Sequence, residues 1–274
     1  MTLNRISKTY AYRSGLSPTE SRVLSDLAYR GRKIFTPGDL KPYQVDPVRF
    51  VYRLRRKGWV TGLKRNLYMI APLEAGPAGA ASHTVHSFVL AAHVVRPYYI
   101  GFWSALNYLG LTEETPSSVY VATTVSAKSR ILLDVPLVIV TLRPWKMFGT
   151  THTRIEDEEI VVSDPEKTIV DCLDHPEHAG GIRHIDRILR NELEHFDLER
   201  CLRYARRMRN TAILKRLGYL LELHGRYPDA ERVRRFASGA GYSKLDPNLL
   251  AEGPFDERWR LRINEPRLRV GGWA

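Results

Sequence analysis

The sequence predicts an α+β protein: an N-terminal winged helix-turn-helix domain followed by a larger mixed α/β domain. Three observations carry this expectation. Positive charge is concentrated at one end, because residues 1–72 hold 15 Lys and Arg against 4 Asp and Glu, whereas residues 73–274 hold 27 against 26. Eleven of the twelve net positive charges therefore fall in the first 72 residues. Within residues 16–71 the apolar spacing is first helical and then strand-like, which is the order of a helix-turn-helix and its wing. The Pro-, Gly- and Ala-rich stretch 72–82 then reads as a linker. A chain of 274 residues accommodates two such domains, and its 43% hydrophobic and 26% charged residues are those of a folded protein. No run approaches the roughly 20 apolar residues of a membrane span. The opening MTLNRISKTYAYRSG has no apolar core of a secretory signal. The expectation is a cytoplasmic protein without membrane association.

The elements follow in order. Residues 1–15 form a basic, polar arm. Ser17-Pro18-Thr19-Glu20 has the spacing of a capping box with proline in the first turn, and Val23, Leu24 and Leu27 supply the buried stripe. Thr36 can cap a short second helix through Leu40. Asp46-Pro47 opens a third helix that stops at Lys57-Gly58. Placed at about 100° per residue, Val48, Phe50, Val51 and Leu54 share one face of it. Arg49, Tyr52, Arg53 and Arg56 share the opposite face, with Lys57 at its edge. Trp59–Met69 reads as a β-hairpin with Lys64 and Arg65 near its tip. This arrangement places a recognition helix in a major groove and a wing on the backbone. Arg49, Tyr52 and Arg53 are the expected base readers, and Arg56, Lys57, Lys64 and Arg65 the expected phosphate contacts.

The second domain is assigned to residues 83–274. Thr84–Val94 and Tyr98–Leu109 read as helices, and Val119–Thr123, Leu137–Thr141 and Glu159–Val162 as strands. A helix starts at Ser163-Asp164-Pro165-Glu166, capped by Ser163 or by Asp164. Gly180-Gly181 precedes a helix over 182–194, a long basic helical region covers 198–224, and Trp259–Ile263 reads as a closing strand. Lys215 and Arg216 are expected to face outward from the apolar stripe of Leu214, Leu217, Leu220 and Leu221. With Arg203, Arg206, Arg207 and Arg209 they would make a second basic patch, either a solvated face or an additional polyanion contact.

Three stretches carry a family resemblance: Tyr98–Leu111 (YYIGFWSALNYLGL), Val162–Leu173 (VSDPEKTIVDCL) and Leu214–Glu222 (LKRLGYLLE). Together with the winged helix they resemble the AbiEi family of transcriptional-regulator antitoxins. The resemblance implies an antitoxin of a type IV toxin–antitoxin system. Its N-terminal domain would repress its own operon at promoter inverted repeats. Its C-terminal domain would counter a neighbouring nucleotidyltransferase toxin without binding it stably. No long apolar heptad marks a dimer helix, so a monomer that assembles on double-stranded DNA is expected.

The rival reading is a DNA-processing enzyme, a nuclease or base-excising activity, that uses the winged helix to find substrate. Asp164, Glu166 and Lys167 are residue types of a metal-dependent nuclease, but their spacing is wrong and Pro165 starts a helix among them. His175, His178 and His184 flank the loop 176–181, where a loop metal site is a minor alternative to the expected absence of a metal. Cys172 and Cys201 lie in helical patterns and offer neither a disulfide framework nor a zinc site. The expectation is a non-enzymatic regulator with no cofactor and no metal.

Overall fold

A computed structural model describes residues 13–71, 73–76, 85–156, 158–237, 239 and 241–269. Most of the basic arm (1–12), most of the proposed linker (72 and 77–82) and Thr84 lie outside the described residues. The chain separates into two compact units, residues 1–86 with 156–158, and the remainder.

In the first unit, α1 spans Pro18–Tyr29. Its start is a complete capping box: Glu20 N–H donates to Ser17 Oγ at 3.3 Å and Ser17 N–H donates to the Glu20 carboxylate at 2.8 Å. A 3₁₀ helix covers Pro37–Tyr43, where Asp39 accepts from both the backbone N–H and the hydroxyl of Thr36. Helix α2 spans Pro47–Arg56. The Asp46 carboxylate accepts from the N–H groups of Val48 and Arg49 at 2.9 and 3.1 Å, satisfying donors that the helix start leaves open. Gly58 then turns the chain at φ +74°. Strands β1 (Ile34–Phe35), β2 (Val60–Lys64) and β3 (Leu67–Ile70) form an antiparallel sheet in the order β1-β3-β2. Val23, Leu24, Leu27, Phe35, Leu40, Phe50, Val51, Leu54 and Val60 close the core between helices and sheet. Helix, 3₁₀ helix, helix and β-hairpin thus follow one another along the chain in the expected order. Val48 departs from the expected apolar face: in the first turn of α2, it is 79% exposed.

The second unit is a six-stranded mixed sheet with helices. Its elements are α3 (Ser87–Ala92), β4 (Tyr98–Ile100), α4 (Phe102–Tyr108), β5 (Val119–Thr123), β6 (Arg130–Leu132), β7 (Val135–Thr141), β8 (Thr150–Ile155) and β9 (Glu158–Ser163). The helices α5 (Pro165–Asp174), α6 (Ile182–Glu192), α7 (Leu198–Arg207), α8 (Thr211–Leu223) and α9 (Tyr227–Arg234) follow. A small sheet of β10 (Ser243–Lys244), β11 (Phe255–Asp256) and β12 (Leu261–Arg262) ends the unit. The large sheet runs β6-β7-β5-β4-β9-β8. In it β5 and β7 are parallel, β4 and β9 are parallel, and β4 and β5 are antiparallel.

Several elements differ from the sequence expectation. Tyr98–Leu109 is not one helix but a strand followed by a helix. β4 is buried in the middle of the sheet, and a short strand covered on both faces has no alternation to distinguish it from a helical run. The helix expected over Thr84–Val94 is limited to Ser87–Ala92. The basic region 198–224 is two helices: Arg209 turns the chain at φ +57° and Asn210 caps α8 by accepting from Ala212 N–H. Strand β8 was not expected; its sequence TTHTRI is polar because it is an edge strand. Asp164, rather than Ser163, caps α5. Lys215 and Arg216 do not face outward. Every residue from Ala212 to Leu221 is buried, so the leucine stripe does not mark a single buried face. The two cations instead reach backbone carbonyls, Lys215 that of Gly241 at 2.5 Å and Arg216 those of Leu173 at 2.6 Å and Lys244 at 3.1 Å.

Candidate nucleic-acid interface

Helix α2 presents its cationic face to solvent as the sequence spacing requires. Arg49 is 82% exposed and Tyr52 60%, and Arg53 and Arg56 are exposed beside them. The Arg56 guanidinium lies 5.9 Å from the centre of the Tyr52 ring, close enough for a weak cation–π contact. Lys64 and Arg65 are exposed at the wing tip, where Asn66 closes the hairpin at φ +60°. These groups are N–H and O–H donors, the types that bond phosphate oxygens and base acceptors.

Two of the expected contacts are not free-standing. The Glu20 carboxylate, 1% exposed, accepts from Lys57 Nζ at 2.6 Å and from Arg53 Nε at 3.3 Å. Burial disfavours this carboxylate, but Lys57 and the backbone N–H of Ser17 outweigh it, and the pKa is lowered to about 2. Glu20 therefore holds an ionised clasp on the base of α2. No sequence signal indicates it, since its partners lie 33 and 37 residues away. Arg55 adds a further cation on this helix. It is exposed, and its guanidinium lies along β2 beside Gly62, where an added Cβ would approach it to 3.7 Å. At the edge of the expected arm, Arg13 stacks 4.4 Å from the Trp59 ring and donates to Ala71 O at 3.0 Å, while Trp59 Nε1 donates to Ser14 O at 2.8 Å. The last residues of the arm are thus fastened to the hairpin.

In the second unit, Arg203, Arg206, Arg207 and Arg209 are exposed, unlike Lys215 and Arg216. Three of them are stacked: Arg206 over Phe236 at 4.6 Å, Arg207 over Phe148 at 4.0 Å and Arg209 over Trp145 at 5.4 Å. These distances are in the range of cation–π contacts, which hold the cationic heads near aromatic rings at the surface.

The quoted motifs of this unit are structural ties. In Ser163–Thr168, Asp164 accepts from Lys167 N–H at 2.7 Å and from the Tyr204 hydroxyl at 2.9 Å, and Glu166 accepts from Asp197 N–H and Arg200. Lys167, with no solvent exposure, ion-pairs with Asp171 and donates to the Tyr99 hydroxyl at 2.9 Å. Burial pulls the Lys167 amine below its ordinary range, opposed by Asp171. Its ammonium is enclosed and engaged, so it does not reach a phosphate as a nuclease lysine would. In the α8 motif, Gly218 admits the Trp259 ring: a Cβ there would lie 2.0 Å from the indole. Trp259 Nε1 donates to Glu222 at 2.6 Å and the Tyr219 hydroxyl donates to Leu268 O, pinning the C-terminal segment to α8.

A family profile described as the AbiEi antitoxin C-terminal domain matches residues 99–223, the stretch that contains these ties. This region is an AbiEi antitoxin domain. The match runs from β4 to the end of α8, so the segment that Trp259 and Leu268 fasten to the AbiEi domain lies beyond the profile. Among solved structures, the crystal structure of the RV2827C protein from Mycobacterium tuberculosis is similar, with a TM-score of 0.65 and 17% identity over 92% of this chain and 93% of that one. At that identity the likeness shows a shared fold. No curated protein matches the sequence. No described helix is long and apolar enough to cross a membrane.

Proposed function

We propose that the protein is a sequence-specific double-stranded DNA-binding repressor of its own operon. In this reading it is also the antitoxin of a type IV toxin–antitoxin system that counters a nucleotidyltransferase toxin. The observation that supports the DNA-binding part is the exposed α2 face of Arg49, Tyr52, Arg53 and Arg56, together with the exposed hairpin cations Lys64 and Arg65. The AbiEi domain supports the antitoxin part. Residues 16–71 act as the DNA reader, 72–82 as the linker and 83–274 as the toxin-countering domain. Repression is by occupancy: α2 enters the major groove at promoter inverted repeats, and monomers assemble on adjacent repeats in the cytoplasm. Base edges are read by Arg49, Tyr52 and Arg53. Arg56, Lys57, Lys64 and Arg65 neutralise phosphates, which makes affinity steeply salt-dependent. Arg203, Arg206, Arg207 and Arg209 offer a secondary polyanion contact.

The test is a footprint of the full-length protein on its own promoter, combined with growth rescue when it is co-expressed with a neighbouring nucleotidyltransferase gene. Protection of an inverted repeat with intact DNA strands in the presence of divalent metal is expected. Strand cleavage or base loss would replace the repressor reading with a DNA-processing one.

A further inference from the structure

At the C-terminal end of α5 the chain passes through His175 into the short 3₁₀ turn Pro176–His178. The turn brings one ligand atom each from His175, Glu177 and His178 to within 4.8 Å of one another, the one such group found among the described residues. The two imidazoles are held by neighbouring rings. Phe102 meets His178 edge-on at 5.4 Å and His175 at 6.2 Å, and Tyr120 packs on His178 at 5.7 Å. The imidazole centres are 5.9 Å apart with their planes 29° from parallel.

The polar contacts of His175 point to a cation. Its Nδ1 lies 3.0 Å from Glu177 Oε1, and its Nε2 lies 3.4 Å from Asp174 Oδ2. Asp174 is buried and fixed in turn by Lys146 at 2.5 Å and by Asn210 Nδ2 at 2.6 Å. A neutral imidazole carries a single N–H. With carboxylates beside both ring nitrogens, a neutral imidazole satisfies only one of them through its single N–H; a second proton, or a divalent cation in place of the Nδ1 proton, satisfies both. A carboxylate fixing one ring nitrogen so that the other can ligate is the usual support of a metal-bound histidine.

We propose that His175, Glu177 and His178 bind a zinc-class divalent cation, with Asp174 orienting His175. Two imidazoles and a carboxylate suit Zn²⁺, with Ni²⁺ and Cu²⁺ as competitors, and they disfavour Mg²⁺ and Ca²⁺, which take oxygen ligands. Three protein ligands leave the fourth position to water. The ion fastens the end of α5 to the turn that follows it. Through Asp174 it is linked to Lys146 and to Asn210, the cap of α8. His184 stands outside the site, since its Nδ1 is 2.7 Å from Ala179 O and its Nε2 is 2.9 Å from Thr112 Oγ1. Cys172 and Cys201 are free and buried and contribute no thiolate.

The experiment is a titration of the chelator-stripped, full-length protein with Zn²⁺ by calorimetry and with Co²⁺ by visible absorption. Saturable binding is expected, with Co²⁺ d–d bands of a nitrogen–oxygen site and no thiolate charge-transfer band. His175→Ala and His178→Ala should each weaken binding by at least about tenfold, and Asp174→Asn by about 10–100-fold as an outer-sphere partner. His195→Ala, at an exposed histidine elsewhere, should leave binding unchanged. If a site variant fails to fold, the wild-type Co²⁺ spectrum decides alone. A thiolate band, absence of saturable binding, or equal affinity in folded His178→Ala would overturn the proposal.

Discussion

The Glu20 carboxylate and the Lys57 ammonium lie 2.6 Å apart, joining the first turn of α1 to the residue that ends α2. The same carboxylate reaches Arg53 and closes the capping box of α1. One buried acid thus sets both the start of the first helix and the pose of the cationic one. Replacing Glu20 with Gln should lower stability by about 1.5–3 kcal/mol, the range for hydrogen bonds to charged groups, in urea denaturation followed by circular dichroism. Unchanged stability would remove the clasp from the account.

The clasp has a defined acid limit. Glu20 is lowered from its ordinary 4.5 to about 2 in the folded protein, so the unfolded chain takes up its proton first as pH falls. Its contribution is complete above about pH 4.5 and is lost as pH falls toward 2. Over that interval Glu20→Gln should lose less stability than the wild type, and the two denaturation curves should converge.

The helix starts were legible in the sequence because caps are local: Ser17, Glu20, Asp46 and Asp164 bond to groups within three residues. The α2 face was legible because one side of that helix is open to solvent. The same pattern argument failed at α8, which is enclosed on every side, so Lys215 and Arg216 were assigned to a surface that does not exist there. Long-range pairings such as Glu20 with Lys57 and Gly218 with Trp259 have no local signature.

Gly218 is where the α8 motif meets its tightest constraint. A methyl group there would overlap the Trp259 ring, so Gly218→Ala should destabilise the second unit by about 1–3 kcal/mol, the usual cost of overpacking, despite alanine's better helix propensity. In a Trp259→Ala background, itself destabilised by the loss of a buried side chain, the same Gly218→Ala change should cost much less. Thermal denaturation of the single and double variants measures this directly.

Lys167 and Asp171 form a buried pair whose halves depend on each other. Lys167→Met leaves Asp171 uncompensated and should cost about 3–5 kcal/mol, whereas the double change Lys167→Met with Asp171→Leu should recover much of it. If the single and double variants lose equal stability in denaturant titrations, the pair is not coupled as described.

The stacked arginines Arg207 and Arg209 make no contribution of that kind. Changing both to Ala should shift stability by only about 0.5 kcal/mol, as for other surface sites. The log–log salt slope of nucleic-acid binding should become shallower by about 1–2 units if both meet phosphates. An unchanged slope would mark them as a solvated face.

The central claim is that the exposed face of α2 reads DNA, and Arg49 and Arg56 test it most cleanly. Arg53 is a poor probe, because reversing its charge would set an acid against Glu20 and disturb the fold. Fluorescence anisotropy should compare the wild type with Arg49→Ala/Arg56→Ala on the promoter inverted repeat and on scrambled DNA, across a salt series. The account predicts a folded variant that loses at least about tenfold in affinity for the repeat and most of its preference over scrambled sequence. Undiminished affinity and preference in the folded variant would contradict it.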